Sequence, residues 1–238
     1  MMRFERTGQV LTVFLPDPAA SPGQDAAIHE ALGTLFHDLR AEREARAIVL
    51  TGSGPDFFTG LNDVVGSLLW QRQAGLAVID AGYQVARQLI WDLLDVEVPI
   101  IAALNGDAAS IGATIALFCD AVFIADTASI HDAHVPLGIA VGDGGQVIWP
   151  LALGPTLAKR YLLTGDAVTA HEAERLGMVT HVCPADTVLA EARLWRRAGL
   201  AHRVVYGCAP PPGLRRAQAA SATRRQRNSY QLHELLCM

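Results

Sequence analysis

The sequence predicts an α/β fold with a sheet covered on at least one face. Three observations support this. Runs such as A-I-V-L-T at residues 47–51 and P-I-I-A-A-L at 99–104 are apolar without alternation, as in buried strands. Longer stretches between them carry apolar residues at helical spacing, as with Ile28, Leu32, Leu35, Phe36 and Leu39. Turn residues separate the two kinds of segment, for example G-S-G-P after residue 51 and N-G after residue 104.

Taken in order, residues 10–15 form a β-rich run broken by P-D-P, and 24–42 a helix. A strand at 47–51 precedes a long helix at 76–95, a strand at 99–104, a helix at 110–119 and a strand at 121–125. Helices fit 145–153, 155–163 and 169–176; in the last, Thr169 is the N-cap, with Glu172 three residues on. A strand at 179–183 and a helix at 186–197 complete the ordered pattern. Residues 208–229 contain three consecutive prolines and little helical stripe. The expected division is a core over 1–192 and a divergent basic tail over 193–238.

Composition narrows the classes of function. Of 238 residues, 51% are apolar, enough for one large core. No apolar run reaches the roughly 18 residues a membrane span needs, and the start lacks the apolar middle of a secretion signal, so a cytoplasmic protein is expected. Cys119, Cys183, Cys208 and Cys237 show no C-x-x-C pairing and read as reduced thiols, with no zinc site. Residues 1–192 hold 23 acidic and 10 basic residues, a balance of −13, whereas 193–238 hold nine arginines and one glutamate. That tail carries no recognisable nucleic-acid module, so neither nucleic acid nor membrane is an expected partner. Dinucleotide, P-loop, H-E-x-x-H and G-x-S-x-G motifs are all absent.

The segment richest in chemistry is I-H-D-A-H-V-P-L-G-I-A-V-G-D-G-G-Q-V-I-W-P at 130–150. It sets His131, Asp132, His134 and Asp143 in apolar, glycine-rich surroundings, where charged groups need partners. An imidazole held by a carboxylate makes a base that can activate water. A structural pair capping a turn would use the same residues.

Two further motifs carry a resemblance. V-L-T-G-S-G-P-D-F-F-T-G-L-N-D at 49–63 and V-P-I-I-A-A-L-N-G-D-A-A-S-I-G-A-T at 98–114, with C-D after them, resemble the two oxyanion loops of the crotonase (enoyl-CoA hydratase/isomerase) superfamily. The resemblance implies a spiral of ββα units with a C-terminal helical region, and a homo-oligomer, trimer or dimer of trimers. It also implies two backbone amides, those of Leu61 and Ile111, converging on an enolate oxygen. Ile111 stands where the family usually has glycine. Thr114 and His134 stand where enoyl-CoA hydratases usually carry glutamates.

Within the superfamily, residues 131–154 are similar to the 6-oxocamphor hydrolase type of β-diketone hydrolase. That likeness implies His134 and Asp143 as a dyad, with His29 on the first helix assisting. The expected reaction is retro-Claisen cleavage of an apolar diketone: His134, oriented by Asp143, activates water. His131 and Asp132 are expected to be loop residues or to support the dyad from behind, and no metal or cofactor is expected. The alternative is hydration or isomerisation of an acyl-CoA, with CoA part of the substrate. The absence of Lys or Arg from 61–70 weakens that alternative. A third reading is a non-catalytic family member.

Overall fold

The computed structural model describes residues 2–20, 25–60, 76–138 and 140–201. Strand β1 (Arg3–Thr7) turns at Gly8, whose φ of +60° suits a residue without Cβ, and pairs antiparallel with β2 (Val10–Leu15). β3 (Ala47–Gly52), β4 (Ile100–Leu104), β6 (Ala121–Ala125) and β9 (His181–Cys183) then pair in parallel, giving a six-stranded sheet in the order β1-β2-β3-β4-β6-β9. A second, three-stranded sheet joins β5 (Ala108–Ala109), β7 (Ser129–His131) and β8 (Val168–Thr169).

The helices are α1 (Asp25–Leu39), α2 (Leu76–Leu94), α3 (Ile111–Phe118), α4 (Gly145–Thr164), α5 (Ala170–Arg175) and α6 (Val188–Ala201). The two helices expected at 145–153 and 155–163 lie end to end as α4, broken at Gly154 (φ 75°, ψ 159°). Thr169 caps α5 as expected, accepting a hydrogen bond from the Glu172 amide at 3.4 Å.

The unbroken apolar strands follow from burial on both sheet faces. Ile48, Leu50, Ala102 and Leu104 point into the larger core, with Leu32, Phe36, Leu93 and Ile115 from the helices. Ala47, Val49, Ile101 and Ala103 point the other way, onto Val188 and Ala192 of α6. The boundary expected after Ala192 falls inside α6. Arg193 donates from Nε to the buried Thr12 hydroxyl at 3.0 Å, and the Trp195 ring meets Phe123 edge-on at 6.1 Å. Residues 202–238 lie outside the described residues.

Two strand ends lead into the site. Asn105, after β4, accepts at Oδ1 from the Thr51 hydroxyl (3.1 Å) and the Gly52 amide (2.8 Å). Its Nδ2 donates to the carbonyls of Gly54, Pro55 and Asp56. This side chain moulds the first loop. A Cβ on Gly112 would lie 2.0 Å from the Phe58 carbonyl oxygen, so only glycine lets the two loops press together.

Candidate functional site

Three chain segments bring their side chains together near the start of α4. β7 is held between β5 and β8, and Asp132 and His134 follow it directly. The chain then enters a 3₁₀ turn at Val135–Leu137. Asp143 precedes α4, and its Oδ1 accepts the Gly145 amide at 3.0 Å, the way a short carboxylate ties down a helix start. Thr114 of α3 donates its hydroxyl to the same oxygen at 3.2 Å.

His134 lies between two carboxylates. Its Nδ1 is 2.9 Å from Oδ1 and 3.1 Å from Oδ2 of Asp132, and its backbone N–H donates to the same Oδ1 at 3.0 Å. A carboxylate accepts hydrogen bonds, so Nδ1 carries a proton and the neutral ring keeps its lone pair on Nε2. Nε2 lies 3.8 Å from Asp143 Oδ2, beyond a direct hydrogen bond. That oxygen is buried and has no hydrogen-bond partner among the described residues.

The geometry changes the expected division of labour. Asp132, expected to be a loop residue or to support the dyad, orients the ring; Asp143, expected to orient it, faces Nε2 instead. The signal was present in D-A-H, because an aspartate two residues ahead can reach both the backbone amide and the side chain of the later residue.

Burial favours the neutral imidazole, but the Asp132 hydrogen bond and the charges of Asp143 and Asp132 outweigh it, so the His134 pKa sits above its ordinary value. Burial also raises the Asp143 pKa. The His134 charge, the Gly145 amide and the Thr114 hydroxyl oppose that rise, and the Asp132 charge adds to it. Both groups are thus biased toward holding a proton.

Asp132, His134 and Asp143 form the one group of metal-capable side chains among the described residues, each with a ligand atom within 4.8 Å of the others. The hydrogen bond at Nδ1 already engages His134 with Asp132, so the cluster reads as a proton-handling row and gives no positive sign of a cation.

The remaining expected residues fall as follows. Ile111 is the first residue of α3, where backbone amides lack intrahelical acceptors; its side chain packs against the larger core. Leu61 lies outside the described residues. His29 lies in α1, with its side chain outside the described ones. Ser110, just before α3, has φ 48° and ψ −118°, the one positive φ at a non-glycine residue among those described, a conformation costing roughly 1–3 kcal/mol. Asp120 accepts the Ile100 amide at 2.9 Å, a structural role. Phe58 and Trp149 are fully buried core residues.

Comparison with known proteins agrees with this architecture. Residues 5–204 match the model of the enoyl-CoA hydratase/isomerase family. The chain belongs to that family, within the crotonase superfamily. A probable enoyl-CoA hydratase of Mycobacterium tuberculosis (strain CDC 1551 / Oshkosh) is 33% identical over 190 residues, 79% of this chain and 71% of the relative. A carnitinyl-CoA dehydratase of Salmonella arizonae is 32% identical over 192 residues, 81% of this chain and 71% of the relative. Among solved structures, a putative enoyl-CoA hydratase from Streptomyces coelicolor A3(2) superposes with a TM-score of 0.79 at 28% identity, covering 97% of this chain and 85% of the other. No helix among the described residues is long and apolar enough to cross a membrane.

Proposed function

We propose that this family member adds water to, or removes it from, the carbon–carbon double bond next to an acyl-CoA carbonyl. One observation carries this reading: His134 Nε2 and Asp143 Oδ2, which has no partner among the described residues, lie 3.8 Å apart, so one water oxygen can reach both. The forward step is addition. Nε2 takes a proton from that water as its oxygen bonds to the β-carbon. The double-bond electrons move onto the thioester oxygen as an enolate, which the Leu61 and Ile111 amides hold. Asp143, whose pKa burial raises, is the group that returns a proton to the α-carbon. Thr114 occupies the position where the resemblance implies a glutamate, and its hydroxyl holds Asp143, so a carboxyl stands close to that place. The hydratase and dehydratase relatives support the same chemistry.

The test is hydration of a short trans-2-enoyl-CoA, followed by loss of the enoyl absorbance and detection of the 3-hydroxyacyl product. Absence of both with short and long acyl chains would refute the reading. Retro-Claisen hydrolysis of a β-diketone is the second reading. The observation favouring it is that the base is an imidazole steadied by a buried carboxylate, an arrangement suited to making a water nucleophile. Carboxylic acid release from a cyclic 1,3-diketone, with no turnover of enoyl-CoA, would select it. The proposal includes the homo-oligomer, trimer or dimer of trimers, tested by light scattering.

A further inference from the structure

Ser110 makes hydrogen bonds in two directions from a backbone conformation that L-residues rarely adopt. Its N–H donates to the His131 carbonyl at 3.1 Å, extending the β5–β7 pairing by one residue. Its hydroxyl accepts the Ala133 amide at 3.2 Å, between Asp132 and His134 in sequence. Its own carbonyl accepts the Thr114 amide at 2.9 Å and so opens α3. The ψ of −118° sets the plane of the following peptide, and that peptide carries the Ile111 N–H.

We propose that Ser110 is a positioning residue that locks the His134-bearing segment to the leading amide of α3. The roles it serves, His134 as base and the Ile111 amide as oxyanion donor, rest on the function proposed above. A hydroxyl is needed because Ala133 sits one residue beyond the reach of the backbone ladder. The strained backbone is retained because relaxing ψ would turn the Ile111 amide away from its present direction. Strain kept by a residue with such specific bonds marks a place where the surrounding structure dictates the geometry.

Ser110→Gly tests this directly. Glycine tolerates the same φ and ψ, so the variant folds and loses only the hydroxyl tie. Ser110→Ala loses the same tie and keeps the Cβ. We expect both to lower kcat by about tenfold to a hundredfold, with KM within about twofold, because the reacting groups drift relative to one another. Imidazole NMR titration of His134 in the full chain gives a readout independent of substrate. The titratable groups facing that ring are Asp132 and Asp143. A looser Asp132–His134 pair should lower the midpoint by about half a unit in both variants. A wild-type midpoint together with wild-type kcat in Ser110→Gly overturns the proposal. If neither thioester nor diketone is turned over by the wild-type protein, the proposed function fails and the titration alone decides Ser110: a lowered midpoint upholds it and an unmoved one refutes it.

Discussion

Two polar networks in this molecule are built to opposite specifications. Around Asn105, both ends of the amide are engaged, with Oδ1 accepting twice and Nδ2 directed at three carbonyls. Around His134, the row from Asp132 through the ring ends at a buried oxygen of Asp143 that none of the described residues satisfies. A closed network fixes a loop in place. An open one keeps a desolvated oxygen at a cost that folding alone does not require. The contrast teaches where to look for chemistry: at the network that stops short.

Substitutions can break this contrast in graded steps. His134→Ala removes the base and should reduce turnover by about 10²–10⁴-fold while the protein still folds, as circular dichroism would show. A variant keeping wild-type rate would end the role assigned to the ring. Asp132→Asn leaves the shape but lets Nδ1 accept from an amide donor, freeing the wrong tautomer; a loss of about 10²-fold in kcat is expected. The pH profile adds a sharper check. The base must be neutral, so turnover rises with pH through the His134 midpoint, which sits above its ordinary value. Loss of the Asp132 charge moves that rising limb to lower pH. The same raised pKa gives linkage of definite sign: the pair's stabilisation is complete below the unfolded imidazole's pKa and is lost as pH rises through the folded one. Thermal melts across that interval should show the fall in wild type and a flatter course in Asp132→Asn.

The closed network should respond in the other currency. Asn105→Ala leaves the Gly52 amide without its acceptor and three carbonyls without a donor, and should cost about 1–3 kcal/mol in denaturant unfolding. The smallest effect belongs to Thr114→Val, which removes one hydrogen bond from Asp143 while its Gly145 bond remains. Stability should change by about 1 kcal/mol or less, and activity by less than about tenfold. If Thr114→Val proved as damaging as His134→Ala, the hydroxyl would have a role beyond holding Asp143.

The central strands were legible because each is a continuous apolar run buried on two faces, which gives hydropathy a strong local signature. β1 was not: R-F-E-R-T is an exposed edge strand with no apolar stripe, and its place comes from pairing with β2. β5, β7 and β8 are two or three residues long, too short for any period to register. In the site, the sequence brought His134 and Asp143 into view, and the fold sets them 3.8 Å apart. The part taken by Asp132 depends on a turn that folds its carboxylate back onto the residue two positions later, and hydropathy carries no trace of that turn.

The contact between Gly112 and the Phe58 carbonyl bears on any redesign of this scaffold. Randomising position 112 would yield almost nothing soluble, since every side chain begins with the atom that collides there. Neighbouring Ile111 is only partly buried, so a mutagenesis library is better aimed at that position.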